Sequence, residues 1–288
     1  MTVEGAARSE IGRTRARNED AYAVVAPEAG RDCGLFIVCD GMGGHAEGDQ
    51  ASALAVRLLR ERLAPIVKTE GAAEPDLAPA LREAVLSANR AIFERNAQAG
   101  REGSERAGTT LALLLVVQSH AWVVHVGDSR VYQTIREKTS LLTIDHNVGH
   151  REIRRGVNPQ EAWNRADARH LTQALGPFPD EYVAPDIQCL PIQSDSLFLL
   201  CTDGLSDNEF VERHEQGLLR PLGNPDADLQ RGCERLVAAA NRINGHDNLT
   251  AVLVRVSMVA SEPDLTAHEE DASSDDARPG RVAQLLGA

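Results

Sequence analysis

The stretch Leu35-Phe36-Ile37-Val38-Cys39-Asp40-Gly41-Met42-Gly43-Gly44-His45-Ala46-Glu47-Gly48 decides how this chain is read. Its apolar run has strand length, Asp40 stands where that run ends, and Gly41, Gly43 and Gly44 permit sharp turning before a helical pattern starts. A carboxylate is thereby held at the rim of a core, beside exposed backbone. The device recurs, because Asp128 ends Val123-Val124-His125-Val126-Gly127-Asp128 and Asp203 ends Leu197-Phe198-Leu199-Leu200-Cys201-Thr202-Asp203. Asp247 instead precedes its apolar run, Leu249 to Val256. In an antiparallel sheet the end of one strand and the start of its neighbour share an edge, so these four carboxylates can meet at one rim.

Outward from this stretch, Ala51, Leu54, Ala55, Leu58, Leu59 and Leu63 recur at helical spacing, as do Leu77, Leu81, Val85, Ala88 and Ile92. Two long amphipathic helices are expected, separated by a break at Gly71 to Pro75. Gly108-Thr109-Thr110 opens Leu111 to Val117, an almost unbroken apolar run that suits a strand buried on both faces. Ala121 to Val126 and Val131 to Ile135 flank Gly127-Asp128-Ser129-Arg130 and read as a hairpin with Asp128 at its tip. From Asp145 to Gly176 the pattern loosens and turns locally basic, as a partly helical flap over the site would. Ser196 to Cys201 reads as a strand, Asp228 to Ile243 as a helix and Leu249 to Val256 as the last strand. Upstream, Ala21 to Val25 is a short strand pattern preceded by Arg13, Arg15, Arg17, Asn18, Glu19 and Asp20. Helices and strands arrive in blocks, which argues for α+β organisation over a βαβ alternation.

With 288 residues and 42% hydrophobic composition, one large domain fits residues 1–259. Residues 260–288 are acidic and poor in large apolar side chains, the composition of a disordered tail. A net charge of −13 argues against nucleic-acid binding, which needs cations to displace counterions from phosphates. No apolar run is long enough for membrane insertion. The cysteines, five in number, form no CxxC pair, and the N-terminus lacks a signal-peptide pattern, so reduced thiols and a cytoplasmic location are expected. Cys39 and Cys201, beside the key aspartates, are expected to be small buried hydrophobes.

Four aspartates without a convergent Cys/His set make an all-oxygen site, which suits Mg²⁺ or Mn²⁺ better than Zn²⁺. Two such ions bridged by Asp40 would activate a bridging water and clamp a phosphoryl group during in-line displacement. An arginine would then orient the phosphate with its planar fork, and Arg15 is the candidate. Gly41-x-Gly43-x-x-Ala46 also fits a dinucleotide fingerprint. That reading needs an acidic residue at a second strand end about 20 positions later, whereas Glu61 falls within a helical pattern.

Taken together, Arg15-x-x-Asn18-Glu19-Asp20, Asp40-Gly41-Met42-Gly43-Gly44, Gly108-Thr109-Thr110, Val126-Gly127-Asp128-Ser129-Arg130, Asp145-His146, Thr202-Asp203-Gly204 and Asp247-Asn248 resemble the motifs of the PP2C-type metal-dependent serine/threonine protein phosphatases. They occur in that family's order, from about Ser9 to Val256. The resemblance implies two stacked antiparallel sheets flanked by helices on both sides, a four-layer αββα sandwich. It implies that Asp40, the Gly41 carbonyl, Asp203 and Asp247 hold a binuclear metal pair. Glu19 and Asp20 would act through metal-bound waters or behind the ligands, and Arg15 would receive the phosphate. Asp128, with Asp203, would hold a third, weaker ion, as in bacterial members. Phosphorylated proteins, substrates of a serine/threonine kinase, are the implied partners. Many eukaryotic members carry a histidine, a proposed general acid, where this chain has Met42. His45 reads as a helix-start residue, and His146 as either a structural hydrogen-bonding residue or a catalytic one. The competing readings are a phosphatase-like binding module without turnover and, more remotely, a two-metal nuclease.

Overall fold

Alternate residues of single strands are buried in different cores, and this alternation stacks the protein in four layers. The computed structural model describes residues 1–25, 32–43, 47–68 and 76–258; the expected break at Gly71 to Pro75, the positions Gly44 and His45, and the acidic segment 260–288 lie outside the described residues. In chain order, β1 (Thr2–Glu10), β2 (Asp20–Val25) and β3 (Cys33–Met42) lead into α1 (Gly48–Lys68) and α2 (Ala78–Gln98). Then come β4 (Gly108–Thr109), β5 (Leu111–Val117), β6 (His120–Val126), β7 (Arg130–Ile135) and β8 (Lys138–Leu141). The short helices α3 (Val148–Arg154) and α4 (Pro159–Trp163) precede β9 (Asp186–Pro191) and β10 (Ser196–Cys201). The chain continues through α5 (Asp203–Ser206), α6 (Phe210–Leu218), α7 (Leu229–Asn244) and β11 (Leu249–Ser257).

One sheet has the order β1-β11-β10-β7-β8 and the other β2-β3-β5-β6-β9, with β4 paired to β3. Every named pair is antiparallel. Leu35, Ile37 and Cys39 of β3, with Leu111, Leu113 and Leu115 of β5, pack under α1 and α2 residues such as Leu59, Leu63, Leu81 and Val85. The residues between them, Phe36, Val38, Ala112, Leu114 and Val116, meet Phe198, Leu200, Val252 and Val254 across a seam between the sheets. The outer face of the first sheet, with Leu197, Leu199, Cys201 and Leu253, packs on Cys233, Leu236 and Val237 of α7 and Phe210 of α6. Strands covered on both faces have no polar face to show, hence the unbroken apolar runs of β5 and β10. Cys39 and Cys201 are fully buried, as small hydrophobes would be.

The hairpin expected around Asp128 does not form. β6 pairs with β5 and β9, whereas β7 pairs with β10 and β8 in the other sheet. The link between them is a crossover, and Asp128 sits at the corner where the chain changes sheets. Gly127 makes the corner with φ +102°, and a side chain there would stand 2.7 Å from the Thr110 methyl. Four strands, the short β4 and β8 together with β1 and β9, had no strand pattern to announce them. β1 is rich in small and charged residues, β9 is largely exposed, and each lies at a sheet edge. Residues 145–176 are partly helical, as expected, through α3, capped by Asn147 accepting from the His150 N–H, and α4, capped by Asn158.

Candidate active site

At one end of the molecule the inter-sheet seam turns polar without changing its strand alternation. Phe36 and Val38 face the seam, and Asp40 is the next residue on that face of β3. By the same alternation Thr110 precedes Ala112, Thr202 follows Leu200 and Thr250 precedes Val252. Asp20 lies directly across from Asp40 in the β2–β3 register. Residues that would be core anywhere else along these strands are here carboxylates and hydroxyls.

The hydroxyls fix the carboxylates. Thr250 Oγ1 donates to Asp20 Oδ2 at 2.6 Å and Thr202 Oγ1 to the same oxygen at 3.0 Å, so Asp20 ties one sheet to the other. Asp40 is held through its backbone: its N–H donates to Thr110 Oγ1 at 3.0 Å, and its carbonyl accepts from the Thr110 N–H and Thr109 Oγ1, each at 2.9 Å. Thr110 Oγ1 also meets Ser129 Oγ at 2.6 Å, joining this network to the Asp128 corner. Gly41 follows, its N–H donating to the Glu19 carbonyl at 3.1 Å. A side chain at Gly41 would lie 2.2 Å from the Gly48 carbonyl oxygen, so only glycine lets β3 pass this close to the start of α1.

A strap carrying Arg15 and Glu19 closes the rim. Asn248 fastens it by donating from Nδ2 to the carbonyls of Ile11 and Arg17, both at 2.9 Å, and by accepting the Glu19 N–H at Oδ1, also at 2.9 Å. Arg15, half exposed, donates from Nη2 to Asp247 Oδ2 at 2.6 Å. Its pKa is raised first by that hydrogen bond, with further help from the charges of Asp247, Asp40 and Glu19, so it is a permanent cation.

The electrostatics are those of carboxylates crowded out of water. Burial, then the negative charges of Asp20, Asp203 and Asp128, hold the Asp40 carboxyl well above the usual carboxylate range. Burial raises Asp128 in the same way, aided by Asp203 and Asp145, and it raises Asp203, aided by Asp247 and Asp207. Asp20 is pushed up to about 7 by burial, against the pull of its two threonine hydrogen bonds. Glu19 is raised by burial and Asp49, with Arg15 opposing. Two buried oxygens of this cluster, Asp20 Oδ1 and Asp203 Oδ1, have no hydrogen-bond partner. An all-oxygen set with orphaned buried acceptors and too little positive charge fits hard divalent cations.

Thus Asp20, Asp40, Asp128, Asp203, Asp247, Glu19 and Arg15 all converge on one rim. Beside it a cleft of about 420 Å³ runs from Asp128 and Asp203 to Asn147, Trp163 and Arg169 of the segment after β8. A second groove, about 610 Å³, lies between Met42, Gly43 and Phe178. His146 is buried, accepts the Gly127 N–H at Nδ1 (3.2 Å) and meets Asp186 Oδ2 through Nε2 at 3.1 Å. Its own N–H donates to the Gly127 carbonyl at 2.7 Å, so it clamps the Asp128 corner structurally.

A sequence profile described as Protein phosphatase 2C matches residues 10–240, which carry all these site side chains except Asp247, Asn248 and Thr250. This chain belongs to the protein phosphatase 2C family. Serine/threonine phosphatase stp of Listeria monocytogenes is 32% identical over 268 residues, covering 92% of this chain and 98% of that protein. The crystal structure of the Mycobacterium tuberculosis serine/threonine phosphatase PstP/Ppp superposes with a TM-score of 0.72 at 29% identity, over 90% of this chain and 100% of that one. The catalytic domain of PstP in complex with two manganese ions gives a TM-score of 0.68 at 30% identity, over 89% and 99% of the two chains. The two antiparallel sheets flanked by helices are the architecture of these phosphatases, as the sequence resemblance implies.

Sequence reasoning left the supporting residues of this phosphatase without a role. Thr202 and Asn248 were visible as motif neighbours of Asp203 and Asp247 with no function of their own, and Thr250 as a single polar residue near the start of an apolar run. Asp49 and Asp207, whose charges act on Glu19 and Asp203, stand outside the motifs and apolar patterns of the sequence reading.

Proposed function

We propose that this phosphatase hydrolyses phosphoserine and phosphothreonine in proteins, at a pair of Mn²⁺ or Mg²⁺ ions held by Asp40, the Gly41 carbonyl, Asp203 and Asp247. The observation that carries the reading is the orphaned pair of buried carboxylate oxygens, Asp20 Oδ1 and Asp203 Oδ1, inside a cluster of raised carboxyls. The two manganese ions in the PstP complex support it. When bound, the ions supply the charge that clamps phosphate oxygens and makes a water nucleophilic at neutral pH. Asp128, with Asp203, would hold a third and weaker ion at the sheet crossover.

The chain's own residues do the positioning. Arg15 stands at the mouth with one nitrogen on Asp247, and among the described residues no other side chain takes the rest of its planar fork, which can receive two phosphate oxygens. Glu19 and Asp20 sit behind the ligands, Asp20 fixed by Thr202 and Thr250. Met42 has no proton to give, and the ring nitrogens of His146 are engaged with Gly127 and Asp186. The departing serine or threonine oxygen is therefore protonated from solvent in the Asp128 cleft. The substrates are cytoplasmic proteins phosphorylated by a serine/threonine kinase.

The test is phosphate release from a phosphothreonine peptide by the full chain, with Mn²⁺, with EDTA, and with Asp40→Asn. Turnover should need the metal and should fall by about 10²-fold or more in the variant, the scale seen when one charge-stabilising group is removed. Phosphopeptide binding with no turnover under any metal would instead make the fold a binding module.

A further inference from the structure

Beside the Gly127 corner, two histidines and an aspartate face one another. His125 is the seam-facing residue of β6 that follows Val123 in the core between the sheets. It is 1% exposed, and among the described residues neither Nδ1 nor Nε2 makes a well-formed hydrogen bond, although the Gly127 backbone lies close enough to act on its charge. Asp186 lies directly across from it in the β6–β9 register, so the two side chains share a sheet face. The His146 ring packs against His125 with centroids 4.5 Å apart, and its Nε2 is 3.1 Å from Asp186 Oδ2. One ligand atom from each residue falls within 4.8 Å of the others.

A buried imidazole with no well-formed hydrogen bond at either nitrogen is costly unless something completes it. Here the nearest completion is a shared cation. We propose that His125, His146 and Asp186 form a second cation site, one that takes a Zn²⁺-like transition ion in place of Mg²⁺ or Mn²⁺. Two imidazoles and one carboxylate are the donors of nitrogen-preferring metals, whereas hard ions select all-oxygen sets such as the carboxylate rim. Ligands about 2.0 to 2.2 Å from a tetrahedral ion stand ~3.4 Å from one another, so the cluster must tighten by roughly an ångström at its widest. Asp186 can supply that movement, because it is 49% exposed, and its open side leaves a fourth position for water. Burial, then the nearby His146, lowers His125 to about 4, which leaves its imidazole neutral and able to ligate at neutral pH.

Filling this site carries a definite rearrangement. Gly127 N–H now donates to His146 Nδ1, which places the ring proton on Nε2, pointing at Asp186. Coordination through Nε2 moves that proton to Nδ1 with no proton lost from the ring, and Gly127 N–H then loses its acceptor. The amide of Gly127, next to Asp128, reports the event.

The experiment uses the full chain saturated with Mg²⁺, with ¹⁵N-labelled histidine and glycine, titrated with chelator-buffered Zn²⁺. In the wild type the His125 and His146 ring nitrogens and the Gly127 amide should shift together as zinc binds. Asp186→Ala, at an exposed edge-strand position, and His125→Asn should each weaken that event at least about tenfold, since even residues behind a ligand cost this much. Zinc that leaves the histidine resonances unmoved occupies the carboxylate rim alone and overturns the proposal. So does an unchanged histidine response in a folded Asp186→Ala protein. Neither outcome depends on phosphatase turnover, so this site and the proposed function fail separately.

Discussion

Replacing Asp20 by asparagine should stabilise the metal-free protein, although the residue sits at the heart of the site. In the structure Asp20 Oδ2 accepts from Thr202 and Thr250, and an asparagine carbonyl can accept both bonds and keep the sheets tied. What the substitution removes is a buried charge. The carboxyl is pushed up to about 7 from an ordinary value of 3.8. A group raised on folding favours the folded state least where it must ionise, so its penalty is full above the folded value and fades as pH falls towards the unfolded one. At 1.36 kcal/mol per pH unit, the penalty is ~4 kcal/mol near pH 8 and roughly a third of that near pH 5. For a domain of this size ~4 kcal/mol corresponds to a Tm rise on the order of 10 °C. The assay is thermal unfolding of wild type and Asp20→Asn in EDTA at both pH values, where subtraction cancels the opposing titration of His125, whose folded value is lowered to about 4. Excess Mn²⁺ should narrow or reverse the gap, because bound cations relieve the wild-type charge. A variant less stable than wild type near pH 8 in EDTA, or a gap independent of pH, would refute the reasoning.

Two further outcomes follow from the same geometry. Arg15→Ala should raise KM for phosphopeptides about tenfold, the scale of one lost charge-assisted contact, and should leave Mn²⁺ affinity no weaker, since the arginine now occupies Asp247 Oδ2; calorimetry that found the metals lost would reverse the assignment. Deleting residues 260–288 should leave Tm and p-nitrophenyl phosphate turnover nearly unchanged, because that composition cannot add to the core; a large fall in Tm on truncation would contradict it.

How much of this was legible in the sequence depends on how far each feature reaches along the chain. A carboxylate at the end of an apolar run is a local pattern, so Asp40 and Asp203 could be placed at a rim from their own neighbours. Antiparallel pairing explains only part of their convergence: the β10–β11 pair brings Asp203 and Asp247 to one edge, whereas Asp40 belongs to the other sheet and reaches them through the stacking of the two sheets. The bond from Thr250 to Asp20 spans 230 positions and joins strands of opposite sheets, and no local pattern encodes it. The same holds for His125 and Asp186, whose partnership exists because β9 adds to the edge of β6. β1 escaped notice for an energetic reason: an edge strand of small and charged residues gains its stability from pairing with β11, not from an apolar stripe of its own.

The misread hairpin at Asp128 shows what local pattern leaves open and why it matters to the site. Two strand patterns around a tight glycine turn are compatible with a hairpin or with a crossover, and the choice is made by edges elsewhere, here β9 beside β6 and β10 beside β7. A hairpin tip would have carried Asp128 on one sheet, free to move with it. At a crossover its flanking strands belong to both sheets, so its position relative to Asp40 and Asp203 is set by how the two sheets are held together at this end. That hold consists of Thr202 and Thr250 on Asp20, with the Thr110 and Ser129 hydroxyls bonded at the corner itself. The residues that keep the sandwich closed at the rim are therefore the same ones that fix the spacing of its carboxylates.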